Sequence, residues 1–299
     1  MNVLVIRLGA LGDVIQSFGP FAAIRAHHPA ARITLLTTPP FEKLLVGSPW
    51  FDAIWADGRP GWRGLPALVQ RLRGGDFARV YDLQTSFRSS RYRWLLRGAE
   101  WSGIARGASH PHANPDRDRM HTIERQQEQL TMAGITHFPP ADLDWLTADL
   151  APFELPARFA LLVPGASPLR PGKRWPAGQF GALAVGLDLP CVVIGSAAEA
   201  PLAAQIMAAA PFTHDLTGRT DLPGIAALAR RAAFAVGNDT GPTHLIAAMG
   251  CPTLALFGAE SDPALCAPRG ERAIVLRSPA LDALTVAEVQ AAMAALRPR

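Results

Sequence analysis

The stretch Gly237-Asn238-Asp239-Thr240-Gly241-Pro242-Thr243-His244-Leu245 gathers the residue types in this chain best suited to chemistry. It follows an apolar, strand-like run, Phe234-Ala235-Val236, and leads into the helix-like Leu245-Ile246-Ala247-Ala248-Met249. A glycine-bearing turn between a buried strand and a helix leaves backbone N–H groups free. Together with the positive end of the helix dipole, these groups favour an anion, most often a phosphate. Asp239, Thr240 and His244 make the turn too polar for a mere connector. It points to a nucleotide-type ligand at the C-terminal edge of a parallel sheet. Asp239, set among glycines, can bind sugar hydroxyls or act through His244.

Three further turns carry comparable signals. Arg7-Leu8-Gly9-Ala10-Leu11-Gly12-Asp13-Val14-Ile15 joins a strand to a helix, but its spacing is GxxGD rather than the GxGxxG of dinucleotide sites. A carboxylate at a helix start repels pyrophosphate. Asp13 is therefore either an N-terminal cap or a carboxylate at a cleft edge that accepts a proton from an incoming hydroxyl. In Val163-Pro164-Gly165-Ala166-Ser167-Pro168-Leu169-Arg170-Pro171-Gly172-Lys173-Arg174-Trp175-Pro176, small residues admit close approach of a ligand. Lys173 and Arg174 there can neutralise phosphate charge; the plainer alternative is a surface loop with incidental cations. Gly195-Ser196-Ala197-Ala198-Glu199 places a carboxylate beyond a strand, suited to a ribose diol or to ordinary helix-dipole complementation. Asp215-Leu216-Thr217-Gly218-Arg219 is either a base or ribose pocket or a plain loop.

These turns need strands and helices to aim them, and the chain supplies both in alternation. Strands are expected at Val3–Leu8, Ile33–Thr37, Ala53–Ala56, Val80–Leu83 and Trp101–Ile104, with helices at Asp13–Ala26, Leu65–Arg73, Phe87–Leu96 and Ile123–Ala133. The aperiodic stretch from Ser109 to Arg119 reads as a long loop. A Pro-rich break from Phe138 through Pro152 and Pro156 reads as a linker. It divides an N-terminal Rossmann-like domain, 1–150, from a C-terminal one, 151–299. The second series has strands at Phe159–Val163, Cys191–Ile194, Phe234–Val236 and Thr253–Phe257. Its helices fall near Gln179–Gly186, Glu199–Ala209, Ile225–Arg231 and Val286–Leu296. Two such halves joined by a hinge imply a cleft.

Composition narrows the class. With 299 residues, 49% hydrophobic and 18% charged, the chain can bury a large core and is not disordered. Its longest apolar runs are too short to span a bilayer, and its start lacks the features of a signal peptide, so a cytoplasmic protein is expected. Cys191, Cys251 and Cys266 are widely spaced and read as buried free thiols, with no metal-ligand spacing. Of 29 basic residues only Lys43 and Lys173 are lysines, which singles out Lys173 as a compact ammonium beside Arg174. Arginines cluster between Arg59 and Arg125 and suit either an acidic partner or a solvated face. Trp62, Leu65, Leu68, Val69 and Leu72 interleave with Arg63, Arg71 and Arg73. This pattern is a basic amphipathic helix that either meets an anionic membrane surface or packs on the sheet.

Taken together, Ile6–Val14, Pro164–Ser167 with Lys173-Arg174-Trp175-Pro176, Gly195–Glu199 and Gly237–Leu245 resemble the glycosyltransferase family 9 heptosyltransferases of lipopolysaccharide core assembly, in the family's order. The resemblance implies an α/β GT-B fold of two facing Rossmann-like domains with a central cleft, acceptor on the first and nucleotide sugar on the second. It implies an inverting, metal-independent transfer from ADP-heptose, a co-substrate, with no cofactor. Asp13 takes the family's general-base position, Lys173 the lysine on the donor phosphates, and Glu199 the carboxylate on the ribose. Asp239, Thr240 and Gly241 match the turn on the sugar and diphosphate, and His244 falls just inside the following helix. The implied partners are a nucleotide sugar and a phosphorylated, lipid-linked glycan acceptor at the inner membrane, not nucleic acid. The rival readings are a nucleotide-sugar epimerase of similar fold and a non-catalytic nucleotide- or glycan-binding module.

Overall fold

The computed structural model describes residues 1–58 and 61–296, with 61–64 given by their backbone alone. Arg59 and the side chains of Trp62 and Arg63 thus lie outside the described residues. The chain forms two compact units, Met1–Trp145 and Leu146–Arg299. The Trp145 ring packs on Phe18 and Trp50 of the first unit, whereas the next residue, Leu146, accepts a hydrogen bond at its carbonyl from Arg230 of the second.

The first unit runs β1 (Asn2–Ile6), α1 (Leu11–Ile15), α2 (Phe18–His27), β2 (Arg32–Thr37), α3 (Pro39–Leu45), β3 (Ala53–Ala56) and α4 (Gly61–Gly74). It continues with β4 (Arg79–Asp82), α5 (Phe87–Tyr92), β5 (Glu100–Gly103), β6 (His110–Pro111) and α6 (Thr122–Met132). All six strands are parallel, in the order β3-β2-β1-β4-β5-β6. Central β1 is wholly apolar from Val3 to Ile6 and buried on both faces, as a parallel strand covered by helices must be. On one face Leu4 and Ile6 pack with Leu36, Leu72, Val80 and Trp101.

The second unit runs β7 (Ala160–Val163), α7 (Ala177–Val185), β8 (Cys191–Val193), α8 (Ala200–Ala209), β9 (His214–Asp215) and α9 (Leu222–Arg231). Then come β10 (Phe234–Asn238), α10 (Gly241–Ala248), β11 (Thr253–Phe257), α11 (Pro263–Cys266), β12 (Ala273–Arg277) and α12 (Val286–Met293). Its parallel order, β12-β11-β10-β7-β8-β9, is the first unit's order repeated. In each sheet the direction of winding reverses beside the first strand, between β1 and β4 and between β7 and β10. A doubly wound sheet opens a crevice for ligands there, at the carboxyl ends of the strands.

Several elements differ from the sequence expectation for identifiable reasons. The helix expected over Asp13–Ala26 is broken into α1 and α2. Pro20 has no N–H to give the Gln16 carbonyl, and the Ser17 hydroxyl donates back to the Asp13 carbonyl at 2.7 Å. The stretch expected as a long loop from Ser109 holds β6, whose two residues pair with Ser102 and Gly103, and a 3-10 turn at Arg117–Arg119. Strand β12 and the short helices α3 and α11 had not been expected. The amphipathic helix α4 turns Leu72 and part of Leu68 into the core, so it is packed on the sheet, with Arg71 over the Trp55 ring at 4.6 Å. Cys191 and Cys251 are buried free thiols, but Cys266 is only half-buried.

Candidate active site

In the first unit the turn after β1 is tightly specified. Gly9 has φ +136°, which L side chains rarely adopt, and a Cβ there would stand 3.0 Å from the Phe41 ring. Its neighbour Leu8 is fixed at both backbone groups: its N–H donates to the Gln84 amide oxygen at 2.8 Å, and its carbonyl accepts from Thr38 at 3.0 Å. Asp13 is the third residue of α1. Its Oδ2 accepts from the Ala10 N–H at 3.0 Å, and its Oδ1 lies 3.2 Å from Nη2 of Arg7. The helix-cap contact is therefore real, yet the Asp13 side chain remains 38% exposed.

Beside this turn lies a cavity of about 650 Å³ whose lining includes Gly9, Ala10, Phe41, Asp57, Gln84 and Arg88. Asp57 is buried at its floor, bonded by the Arg88 guanidinium and by the Tyr92 hydroxyl at 2.5 Å. Burial, and then the bond to Asp57, push the Tyr92 phenol up to about 12. Asp82, at the end of β4, is fully buried. Burial raises its carboxyl to about 7 against hydrogen bonds from Ser89 and the Thr85 and Gln84 amides and the charge of Arg7.

In the second unit the turns after β7, β8 and β10 converge. Lys173 Nζ lies 2.6 Å from Asp239 Oδ2, and His244 Nε2 lies 3.5 Å from Oδ1 of the same carboxylate. Burial by itself would raise the Asp239 carboxyl. Hydrogen bonds from His244, Lys173 and Ser261, with the Lys173 charge, instead hold it down at about 2. Thr240 is the N-cap of α10 but its side chain makes no cap hydrogen bond, which leaves the first-turn amides to another acceptor. Asn238 is buried and binds the turns together: it accepts from the Trp175 N–H at 3.0 Å and donates to the Pro164 carbonyl at 2.8 Å.

Glu199 accepts from the Ser196 N–H at 2.7 Å, as a helix-start carboxylate should. The same carboxylate overlies two glycines. A Cβ on Gly165 would collide with it, and one on Gly195 would stand 2.8 Å from Oε2. Glu199 thus sits at the carboxyl ends of β7 and β8.

Lys173, Asp239 and His244 are one cluster, with Thr240 and Gly241 at the adjoining helix start. Arg174 is committed to the Ala166 carbonyl, at 2.6 Å from Nη2, and shapes the loop. Asp215 is satisfied within its own turn by the Thr217 N–H and hydroxyl, at 2.8 and 2.7 Å. Three contacts carry no motif in the sequence: Ser261 on Asp239, Glu260 accepting from the Gly172 N–H at 3.2 Å, and Arg7 beside Asp13. Glu260 and Ser261 follow β11 directly, and the end of a parallel strand was the available signal. Among the described residues no group of three or more His, Cys, Asp or Glu side chains is arranged to hold a metal ion.

Residues 65–294 match the profile of Glycosyltransferase family 9 (heptosyltransferase), well over half of the chain, and the protein belongs to this family. Among curated relatives, the lipopolysaccharide core heptosyltransferase OpsX of Haemophilus influenzae is 23% identical over 89% of this chain and 81% of its own. Among solved structures, the E. coli ADP-heptose lps heptosyltransferase II superposes with a TM-score of 0.79 at 23% identity, covering 99% of this chain and 98% of that one. The E. coli heptosyltransferase WaaC with ADP also gives 0.79, at 21% identity, over 99% of this chain and 100% of that one. The fold class is GT-B, and the protein is a family 9 glycosyltransferase.

Proposed function

We propose that this enzyme transfers a heptose from ADP-heptose to a lipopolysaccharide core or related phosphorylated, lipid-linked glycan, with inversion and without a metal ion. One observation carries the reading. A lysine held 2.6 Å from Asp239 stands beside the uncapped start of α10, so a cation and free amides are offered together to a diphosphate. Asp239 takes one of the three ammonium donors of Lys173 and leaves the others for phosphate oxygens. Glu199, over the glycines of the adjacent turns, accepts hydrogen bonds from the ribose diol.

Asp13 is the general base. It removes the proton of the acceptor hydroxyl as that oxygen attacks the anomeric carbon. The bond from that carbon to the diphosphate breaks on the opposite face, and ADP departs with the electron pair. Lys173, the Thr240 and Gly241 amides and the helix dipole stabilise the charge that develops on the leaving group, which is the work a metal ion does elsewhere. The cavity beside Gly9 and Ala10 receives the acceptor sugar next to this base. An acceptor of this kind places the enzyme at the inner face of the plasma membrane, in peripheral contact with it. The names of the relatives, heptosyltransferases of lipopolysaccharide and one with ADP, support the choice of substrates.

A thermal-shift panel of ADP-, GDP-, UDP- and TDP-sugars tests the donor, because a ligand that prefers the folded form raises its stability. Stabilisation by the ADP sugar alone is expected, and preference for UDP or TDP would discard the heptose donor. ADP release that requires acceptor separates transfer from epimerisation, which alters the donor sugar without one. Asp13→Asn should abolish transfer while sparing donor binding. Lys173→Ala should abolish donor binding.

A further inference from the structure

We infer that Arg7 is a positioning residue for the transfer reaction, fixing the Asp13 carboxylate at the angle from which it takes the acceptor's proton. This rests on the reading of Asp13 as base. The observation is one buried guanidinium that makes two hydrogen bonds and an ion pair. Nη1 donates to the Leu83 carbonyl at 2.7 Å, Nε donates to the Asp13 carbonyl at 3.3 Å, and Nη2 faces Asp13 Oδ1 at 3.2 Å. Arg7 is 3% exposed, so the hold is dry on its own side while the carboxylate it grips stays reachable.

Its chemistry suits this role. Arg7 follows β1 directly and Leu83 follows β4, so the guanidinium bridges the crevice strands and grips α1 from below. Anchored to a β4-side carbonyl, it ties the base to the rigid sheet rather than to a five-residue helix. The second carboxylate oxygen accepts from the Ala10 N–H, so one oxygen is hydrogen-bonded and the other ion-paired. The charges of Asp13, Arg125 and the buried Asp82 all act on Arg7, so the cation sits in a field set by several groups. A planar fork bonds two carbonyls from separate nitrogens while its charge lies against the carboxylate; a lysine ammonium on its flexible stem keeps the charge but not that pair of fixed bonds. Arg7 touches no substrate in this arrangement and acts only through Asp13.

The test compares Arg7→Gln, Arg7→Lys and Asp13→Asn by steady-state ADP release from ADP-heptose with a heptose-deficient lipopolysaccharide as acceptor, alongside thermal melts. Misplacing a reacting group by an ångström costs on the order of 100-fold in rate. Arg7→Gln is therefore expected to lower kcat about 100-fold with the donor KM unchanged, and Arg7→Lys to recover about tenfold of that loss. A purely structural arginine would not give this kcat-only pattern with partial rescue. Wild-type kcat in Arg7→Gln, with Asp13→Asn inactive, overturns the inference and leaves the base in place. Equal loss in both Arg7 variants, or a loss confined to the donor KM, overturns it as well. Should Arg7→Gln not fold, Arg7→Lys decides alone: a lower kcat at constant donor KM supports the role, and wild-type kcat removes it. An active Asp13→Asn instead brings down the general-base reading itself.

Discussion

Two buried carboxylates make opposite demands on pH. Asp239 is held down at about 2 by its three hydrogen-bond donors, although burial opposes this. A depressed carboxyl contributes stability that is present above its unfolded value, near 3.8, and is lost as pH falls through 2. Asp239→Asn should therefore cost about 2 kcal/mol at pH 7, with the gap to wild type closing below pH 4 in chemical denaturation. Asp82 has the reverse sign. Burial raises it from 3.8 to about 7, so the folded protein favours its neutral form and loses stability as pH rises between those values. Asp82→Asn, which cannot ionise, should gain on wild type in melting temperature as the buffer is taken from pH 5 to pH 8. A constant difference across that range would show that Asp82 does not titrate there. Neither behaviour was legible in the sequence, because each depends on how many donors burial leaves facing the carboxyl.

At the scale of elements, the strands that carry the turns were readable because parallel strands buried on both faces are continuous apolar runs. The register Ile33–Thr37 falls within β2, and Ala53–Ala56 and Thr253–Phe257 coincide with β3 and β11. What escaped was set by contacts distant in sequence or by a single backbone group. The break between α1 and α2 comes from Pro20 and Ser17, and β6 exists only through its pairing with β5. The Gly237-Asn238-Asp239 turn was legible as a site, but why its first residue is glycine was not. A Cβ at Gly237 would stand 2.6 Å from the Thr243 hydroxyl and 2.7 Å from the Val163 Cβ, inside the seam of β7 and β10. Gly237→Ala should push those strands apart where the crevice opens. Overpacking of this kind costs about 1–3 kcal/mol, and a lower melting temperature with weaker stabilisation by ADP is the expected result. A melt and ADP shift equal to wild type would mean that the seam can yield.

For the whole molecule, two sheets of one winding order give two crevices, one beside the Asp13 carboxylate and the other beside a cationic, amide-lined turn, and the proposed lipid-linked acceptor would have to reach the first. Among the described residues no helix is long and apolar enough to cross a membrane. The first unit has a candidate contact in α5 and the turn that continues it. Phe87 is 81% and Trp94 64% exposed, spaced with Arg91 at i, i+4 and i+7, and the Arg91 guanidinium lies over the Phe87 ring at 5.6 Å. From Phe87 to Ala99 the chain carries four arginines and no acidic residue; Arg88 and Arg93 are tied to Asp57 and the Gly107 carbonyl, and Arg91 and Arg97 are exposed. Exposed aromatic rings beside arginines suit the boundary of an anionic bilayer, where the rings enter the headgroup layer and the guanidinium groups meet lipid phosphates. The protein should therefore sediment with vesicles containing phosphatidylglycerol and not with pure phosphatidylcholine, and the bound fraction should fall as salt screens the charge. Phe87→Ala combined with Trp94→Ala should release it from those vesicles while leaving ADP release on a deacylated, water-soluble acceptor unchanged, because neither ring belongs to the base or the donor pocket. Undiminished vesicle binding by that double variant would assign the lipid contact to another face.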